Sequence, residues 1–254
     1  MAENIIFQMV MYEYIIYYWK KKNFKYLFID NSKSGAATYN YRNIKFLKNY
    51  NSFKIFFIQN CYRQFDAFFL KNYKLLIHKQ IQIICKPIFF NFINIYKESF
   101  FNKKNIIYKK DNWKSPLLGA HGIGLEALFK NIEISQITLF IMLANIKLYE
   151  PMIEITYGLE RINNIKNINI NYKKEKFFSI NNIFNKFSIK KIIFLYYKCL
   201  LNYKKKNFII SYLFLLKITN NFNKIDDYYL INNYNRIKII ALINLLSYNI
   251  IKKI

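Results

Sequence analysis

Carboxylates, glycines and a rare arginine concentrate in one segment of this chain, residues 111–161, which closes on Glu154-Ile-Thr-Tyr-Gly-Leu-Glu-Arg161. Four of the five glycines (Gly119, Gly122, Gly124, Gly158) and two of the three prolines (Pro116, Pro151) lie there. So do six acids (Asp111, Glu126, Glu133, Glu150, Glu154, Glu160) against four bases, which makes the segment −2 while the rest of the chain is +28. Glycine marks close approach of a backbone, and a carboxylate in a Lys-rich chain marks a site that needs negative charge. The chain has 36 Lys but only four Arg: Arg42, Arg63, Arg161 and Arg236. A planar guanidinium grips phosphate oxygens with two parallel hydrogen bonds, which an ammonium cannot do. Glu133 and Ser135 are two apart, so a regular strand would put both oxygens on one face, where they could hold Mg²⁺.

The rest of the chain must position these groups. Its 254 residues suffice for one large domain or two smaller ones, and 54% hydrophobic with 20% aromatic residues excludes a disordered chain. The excess of Lys, Asn, Ile, Tyr and Phe is what an AT-biased genome encodes. The net charge of +26 therefore has two readings, binding to nucleic acid or a solvated lysine surface imposed by composition. The longest uncharged runs, 134–146 and 239–251, have 13 residues each, short of the roughly 20 that a spanning helix needs. Met1-Ala2-Glu3-Asn4 is unlike the basic start of a signal peptide. Cys61, Cys85 and Cys199, with only His78 and His121 beside them, form neither a zinc pattern nor a disulfide framework, which fits a reducing cytoplasm.

Residues 5–19 read as a helix ending at Lys20-Lys21-Lys22, and residues 30–38 as a loop. Runs rich in β-branched and aromatic residues predict strands at about 53–63, 75–86, 125–129, 132–140 and 153–157, with a short one at 105–109 and a helix over 88–102. Pro and Gly content makes 111–124 a loop. Gly158 turns the last strand into a helix that begins at Leu159. Beyond Arg161 glycine and proline vanish, and 176–201, 206–219 and 228–251 read as helices after a low-complexity connector at 163–176. The expected architecture is α+β, with a sheet domain over 1–165 and a helical C-terminal region over 166–254.

Three blocks carry a more specific signal: Asp111-Asn-Trp-Lys-Ser-Pro-Leu-Leu-Gly-Ala-His-Gly-Ile-Gly-Leu-Glu126, Glu133-Ile-Ser-Gln-Ile-Thr-Leu-Phe140, and the stretch ending at Arg161. In order and spacing they resemble the α subunit of the two-subunit bacterial glycyl-tRNA synthetases, which are class II aminoacyl-tRNA synthetases. The resemblance is clear over 111–161, in register over roughly 5–87, and absent as sequence beyond about 165. It implies an antiparallel class II sheet flanked by helices and followed by a helical tail. It also implies ATP and Mg²⁺ as cofactors, glycine and tRNA(Gly) as substrates, and a cytoplasmic location. A separate β subunit is implied as partner, in an α2β2 tetramer with no membrane involvement.

Residue by residue, the resemblance implies that Arg63 holds the α-phosphate of ATP and Arg161 the γ-phosphate, with Glu133 and Ser135 at the metal. Gly35-Ala-Ala-Thr38 looks like part of the first class motif. Gln59, Gln80 and Gln82 look like the strands of the second, and Gly158 like the adenine side of the third. Trp113, Gln136, Thr138, Glu154 and Thr156 match positions near the glycine pocket. Departures are equally specific. Ala67-Phe-Phe-Leu-Lys-Asn72 replaces the family's Gly-Glu-Asn-Pro loop, His121 a Trp, Ile141-Met142 a Gln-Gln pair and Ala144-Asn145 a Gly-Gly pair.

Two other classes of function fit parts of the sequence. A basic RNA-binding or ribosomal-type structural protein would account for the charge but not for the acidic, glycine-bearing segment. A degenerate, non-catalytic synthetase-like subunit would account for the altered loop at 67–72 but not for the retention of Arg63 and Arg161.

Overall fold

The computed structural model describes residues 11–28, 52–62, 77–100, 105–163, 189–227 and 230–254, with Ala36, Thr38, Asn40 and Ile44. Arg63, Gly35 and the 67–72 loop lie outside the described residues. In chain order the elements are α1 (Met11–Lys21), β1 (Lys25–Tyr26), β2 (Phe53–Tyr62), β3 (Ile77–Lys86), α2 (Phe92–Glu98), β4 (Ile106–Lys110), β5 (Trp113–Ser115), β6 (Ala120–Phe129), β7 (Ile132–Leu143), β8 (Ile146–Gly158), α3 (Leu159–Asn163), α4 (Ile189–Lys204), α5 (Phe208–Asp227) and α6 (Asn233–Lys253). The strands make one sheet in the order β1-β2-β3-β8-β7-β6-β4, with β5 also paired to β6. Every pairing is antiparallel except the short β1–β2 one. This is the expected α+β arrangement, a mostly antiparallel sheet flanked by helices and followed by C-terminal helices.

Alternation along the strands gives the sheet two different faces. On one, Phe56, Ile81, Ile83, Cys85, Ile153, Ile155 and Tyr157 share a core with Ile15 and Trp19 of α1 and Tyr96 of α2. On the other, Phe53, Ile55, Ile84, Phe140 and Met152 share a core with Ile192, Leu195, Tyr212, Leu215, Ile243 and Leu246 of α4, α5 and α6. The same second face carries Gln59, Gln80, Gln82, Glu154, Thr156, Gln136 and Thr138, because these alternate with the residues of the first core or stand opposite one another in register. Burying each large apolar side chain contributes about 1.5–3 kcal/mol, so the two cores fix the polar row between them.

Several strand boundaries differ from the sequence reading, among them the end of β7, which runs to Leu143 rather than 140. Residues 111–124 are not one continuous loop: β5 and the first half of β6 run through them, joined by a short loop at 116–119. The glycines there mark close backbone packing within the sheet. A Cβ on Gly124 would stand 2.5 Å from the Ile137 carbonyl oxygen and 2.7 Å from that of Asp111, and one on Gly122 would stand 2.8 Å from the Leu139 oxygen. The last strand begins at Ile146 rather than 153, since β7 and β8 form a tight hairpin. Its turn residues Ala144 and Asn145 have φ of 50° and 60°, the left-handed pair that a two-residue hairpin demands.

Candidate functional site

The polar row is built at the seam where β3 meets β8. Gln80 stands opposite Gly158, Gln82 opposite Thr156, and Ile84 opposite Glu154. From the far side of β8, Gln136 faces Thr156 and Thr138 faces Glu154. Thr38, although 116 positions away in sequence, donates to Glu154 Oε1 at 2.5 Å. Thr156 donates to Gln82 Oε1 at 2.9 Å. Gln59 accepts from Asn40 Nδ2 at 3.2 Å, and Gln80 Oε1 accepts from the Cys61 thiol at 3.1 Å. Gln59, Gln80, Gln82, Thr38, Thr138 and Glu154 are all buried.

Two atoms in this row are left over. Glu154 Oε2 and Gln82 Nε2 are buried and have no hydrogen-bond partner among the described residues. A buried polar atom without a partner costs about 1–3 kcal/mol, more if charged; the Gln82 amide faces the Glu154 carboxylate without bonding it, and a ligand that bridges the two would satisfy both. One is an acceptor and the other a donor. Burial pushes the Glu154 carboxyl up to about 7, against the lowering effect of the Thr38, Gln82 and Thr156 dipoles. A cation arriving at Oε2 would restore its charge.

Arg161 reaches the same region from α3. That short helix sets Leu159 and Ile162 into the first core, and Glu160 at its start accepts from the Lys79 backbone N–H at 2.8 Å, which ties it to β3. Arg161 Nη1 donates to the Glu133 carbonyl at 2.8 Å and to Glu133 Oε2 at 3.1 Å. Nε and Nη2 have no partner among the described residues, so part of the guanidinium fork remains available to an anion. Gly158 adds no bulk beside it. A Cβ there would meet Arg161 Cδ at 3.6 Å and the Ile134 oxygen at 3.8 Å, which is ordinary contact.

The shared face expected for Glu133 and Ser135 is a correction. Ala127 stands opposite Ser135 but its neighbour Leu128 stands opposite Glu133, so an extra residue, Ile134, bulges out between them. Glu133 therefore joins Arg161, while Ser135 lies opposite Tyr157 on the first face, its hydroxyl buried against the Tyr96 phenol. Among the described residues no group of three or more His, Cys, Asp or Glu side chains converges as for a metal ion. Gln136 turns toward the end of β4, donating to Asp111 Oδ2 at 2.6 Å. Trp113, opposite Gly122, packs its ring edge-on against Phe140 at 5.2 Å between centroids. The structure thus brings together Thr38, Gln80, Gln82, Thr138, Glu154, Thr156, Gly158, Arg161 and Glu133, and sets Ser135 apart. Sequence reasoning missed Asn40. Its only signal was a position two residues after Thr38 in a small polar run.

A glycine–tRNA ligase alpha subunit from Coprothermobacter proteolyticus is 33% identical over 135 residues, which cover 50% of this chain and 46% of that protein. The chain thus spans about half the length of the curated relative it matches. A solved pyrrolysyl tRNA synthetase from Desulfitobacterium hafniense is similar at a TM-score of 0.43 and 12% identity, over 61% of this chain and 67% of that one. The pattern of the glycyl-tRNA synthetase alpha subunit family matches residues 7–254, including the strands of the polar row and the helix that bears Arg161. By that match the chain belongs to the glycyl-tRNA synthetase alpha subunit family.

Proposed function

We propose that this chain activates glycine with ATP and passes it to tRNA(Gly), as the catalytic α subunit of a cytoplasmic, two-subunit class II synthetase. The observation that carries the reading is the leftover pair on the polar face, Glu154 Oε2 and Gln82 Nε2. An acceptor that gains charge and a donor amide side by side complement the ammonium and carboxylate of an amino-acid zwitterion. Thr138 stands across from Glu154 and Thr156 two residues along its strand, both on the face that Glu154 occupies, where their side chains would crowd any substituent on the α-carbon of a bound amino acid. Rejecting even one methyl by such walls gives about 10–200-fold discrimination.

Activation makes one bond and breaks one. A glycine carboxylate oxygen attacks the α-phosphorus of ATP, and pyrophosphate leaves with the bond electrons. The terminal ribose hydroxyl of tRNA then attacks the adenylate carbonyl, and AMP leaves. The protein's part is positioning and neutralisation of charge, without a protein nucleophile. Glu154 and Gln82 would hold the amino acid. The free edge of Arg161 would take phosphate oxygens, with Arg63 and Gln59 as the α-phosphate side of the proposal. Mg²⁺ would enter on the oxygens of the nucleotide itself. Because Glu133 and Ser135 face opposite ways, no step is assigned to a metal held between them.

Glycine-dependent ATP–pyrophosphate exchange tests this directly, and absence of exchange under conditions where the chain is folded overturns it. A partner is part of the same reading. Purified alone, the chain is expected to exchange pyrophosphate weakly and to charge tRNA poorly, with a separate β subunit raising transfer. Charging at full rate by this chain alone, unchanged by added β subunit, would remove the two-chain requirement. Gly158 gives a second check. Since a Cβ fits the free protein, Gly158→Ala should leave the melting temperature within a few degrees while raising the KM for ATP by ~10-fold. An unaltered KM would show that no nucleotide approaches that backbone.

A further inference from the structure

The loop that follows Trp113 is held from outside the sheet, by the last helix of the chain. Asn244 Nδ2 on α6 donates to the Pro116 carbonyl at 2.8 Å, across 128 positions of sequence. Asn244 Oδ1 accepts from Asn145 Nδ2 in the β7–β8 turn. Asn145 in turn donates through its backbone N–H to the Gly119 carbonyl at 2.9 Å. One helix turn on, Ser247 Oγ lies 3.5 Å from the Leu118 carbonyl. Gly119 is held at φ +56°, with the Asn145 side chain so close that a Cβ would collide with its Oδ1. Leu118 and Ala144 are buried in the same core as Ile243 and Leu246. Residues 116–119 are therefore gripped from α6 by Asn244, which reaches both the loop and the hairpin turn, with Ser247 beside it.

The grip matters because of what the loop carries. Trp113 stands opposite Gly122, which stands opposite Phe140, which stands opposite Met152. That row lies two residues along the strands from the row Gly124–Thr138–Glu154, a separation of about 6.8 Å at the usual strand rise. The Trp113–Phe140 ring pair thus closes the apolar end of the face on which Glu154 and Gln82 await a ligand.

We propose that Asn244 is a positioning residue for amino-acid selection. By fixing the 116–119 loop it holds the Trp113–Phe140 wall at the distance that excludes a side chain on the bound amino acid. The inference rests on the glycine-activating reading above. It makes the C-terminal helix part of the selectivity of the sheet site, although no atom of α6 need touch the substrate.

The test is pyrophosphate exchange with glycine and with alanine, by the full chain and by Asn244→Ala. A loss of folded protein lowers both rates alike and leaves their ratio unchanged, whereas a displaced wall changes the ratio. The expected result is a fall of ~10-fold in the glycine-to-alanine ratio of kcat/KM, mostly through a lower KM for alanine, with the KM for ATP unchanged. Asn145→Gly provides a variant that suits the left-handed turn better than asparagine; it removes the Asn145–Asn244 bond and leaves Asn244 on the Pro116 carbonyl. It should give a smaller shift in the same direction, and the double variant should match Asn244→Ala, which alone breaks both bonds. Amide hydrogen exchange over 117–119 should quicken in both. An unchanged ratio in both variants overturns the proposal even if exchange quickens. Absence of glycine-dependent exchange in the unaltered chain instead refutes the functional reading, and the proposal with it.

Discussion

Glu154→Gln will weaken glycine binding by ~100-fold or more and at the same time raise the melting temperature at pH 8. Both results come from one buried carboxylate. Removing the charged member of a buried ion pair typically costs about 3–5 kcal/mol, which accounts for the loss of binding. The gain follows from the proton. Burial raises the folded-state pKa of Glu154 from 4.5 to about 7. Between those values the unfolded chain gives up its proton first, so the carboxyl's contribution to stability is intact below pH 4.5 and lost as pH rises toward 7. Above pH 7 the unliganded protein carries an ionised group in a dry site, at a cost of about 3 kcal/mol. An amide of the same shape never ionises. Its advantage in melting temperature should therefore shrink between pH 7 and pH 5. Glycine binding to the unaltered chain should move the opposite way, weakening by about tenfold per pH unit below 7, because only the carboxylate attracts an ammonium. Calorimetric titration and thermal melts over pH 5–8 measure both. A Gln variant that binds glycine normally, or melts lower throughout, would falsify the assignment of Glu154.

Arg161→Lys is the other large effect. Arg161 bonds the carbonyl and the carboxylate of Glu133 through one nitrogen and keeps the rest of its fork free among the described residues. A lysine can occupy the Glu133 site or meet a phosphate, but its single nitrogen has no second edge. Pyrophosphate exchange should slow at least ~10-fold, or ~1.4 kcal/mol, with glycine affinity unchanged. A rate within twofold of the unaltered chain would take Arg161 out of the phosphate site. The ion pair itself is partly exposed and contributes little to stability, so the Arg161→Lys variant should lose no more than about 1 kcal/mol of folding free energy.

How far the sequence reveals these features depends on the kind of residue. The strands at 53–62, 77–86 and 132–143 are legible because β-branched and aromatic runs have few other stable homes. The turn from β8 into α3 at Gly158 is legible from one glycine before a helical pattern. Gly122 and Gly124 mislead, since a glycine required by neighbouring backbone inside a sheet looks like a glycine in a loop. Strand alternation also misleads at Glu133 and Ser135, because the Ile134 bulge has no signature in residue type. Thr38 and Glu154 are each found as members of a motif, but their bond across 116 positions is a product of the fold. Asn244 leaves no trace at all. One more asparagine in an Asn-rich helix becomes specific only where it meets the carbonyl of Pro116.

The order of strands in the sheet carries a consequence for how the chain acquires its site. β6, β7 and β8 follow one another as a meander, and β2 with β3 is a separate local pair. Among the described strands the two groups join only along β3–β8, where Gln82 meets Thr156 across 74 positions. Closing so long a loop precedes any gain from the contacts it permits, which makes that junction a late event in folding. Each half of the polar row lies on its own side of the junction. A nascent chain therefore has no site until residue 158 has been synthesised and the seam has zipped, and amino acid binding reports completion of the sheet rather than of either half.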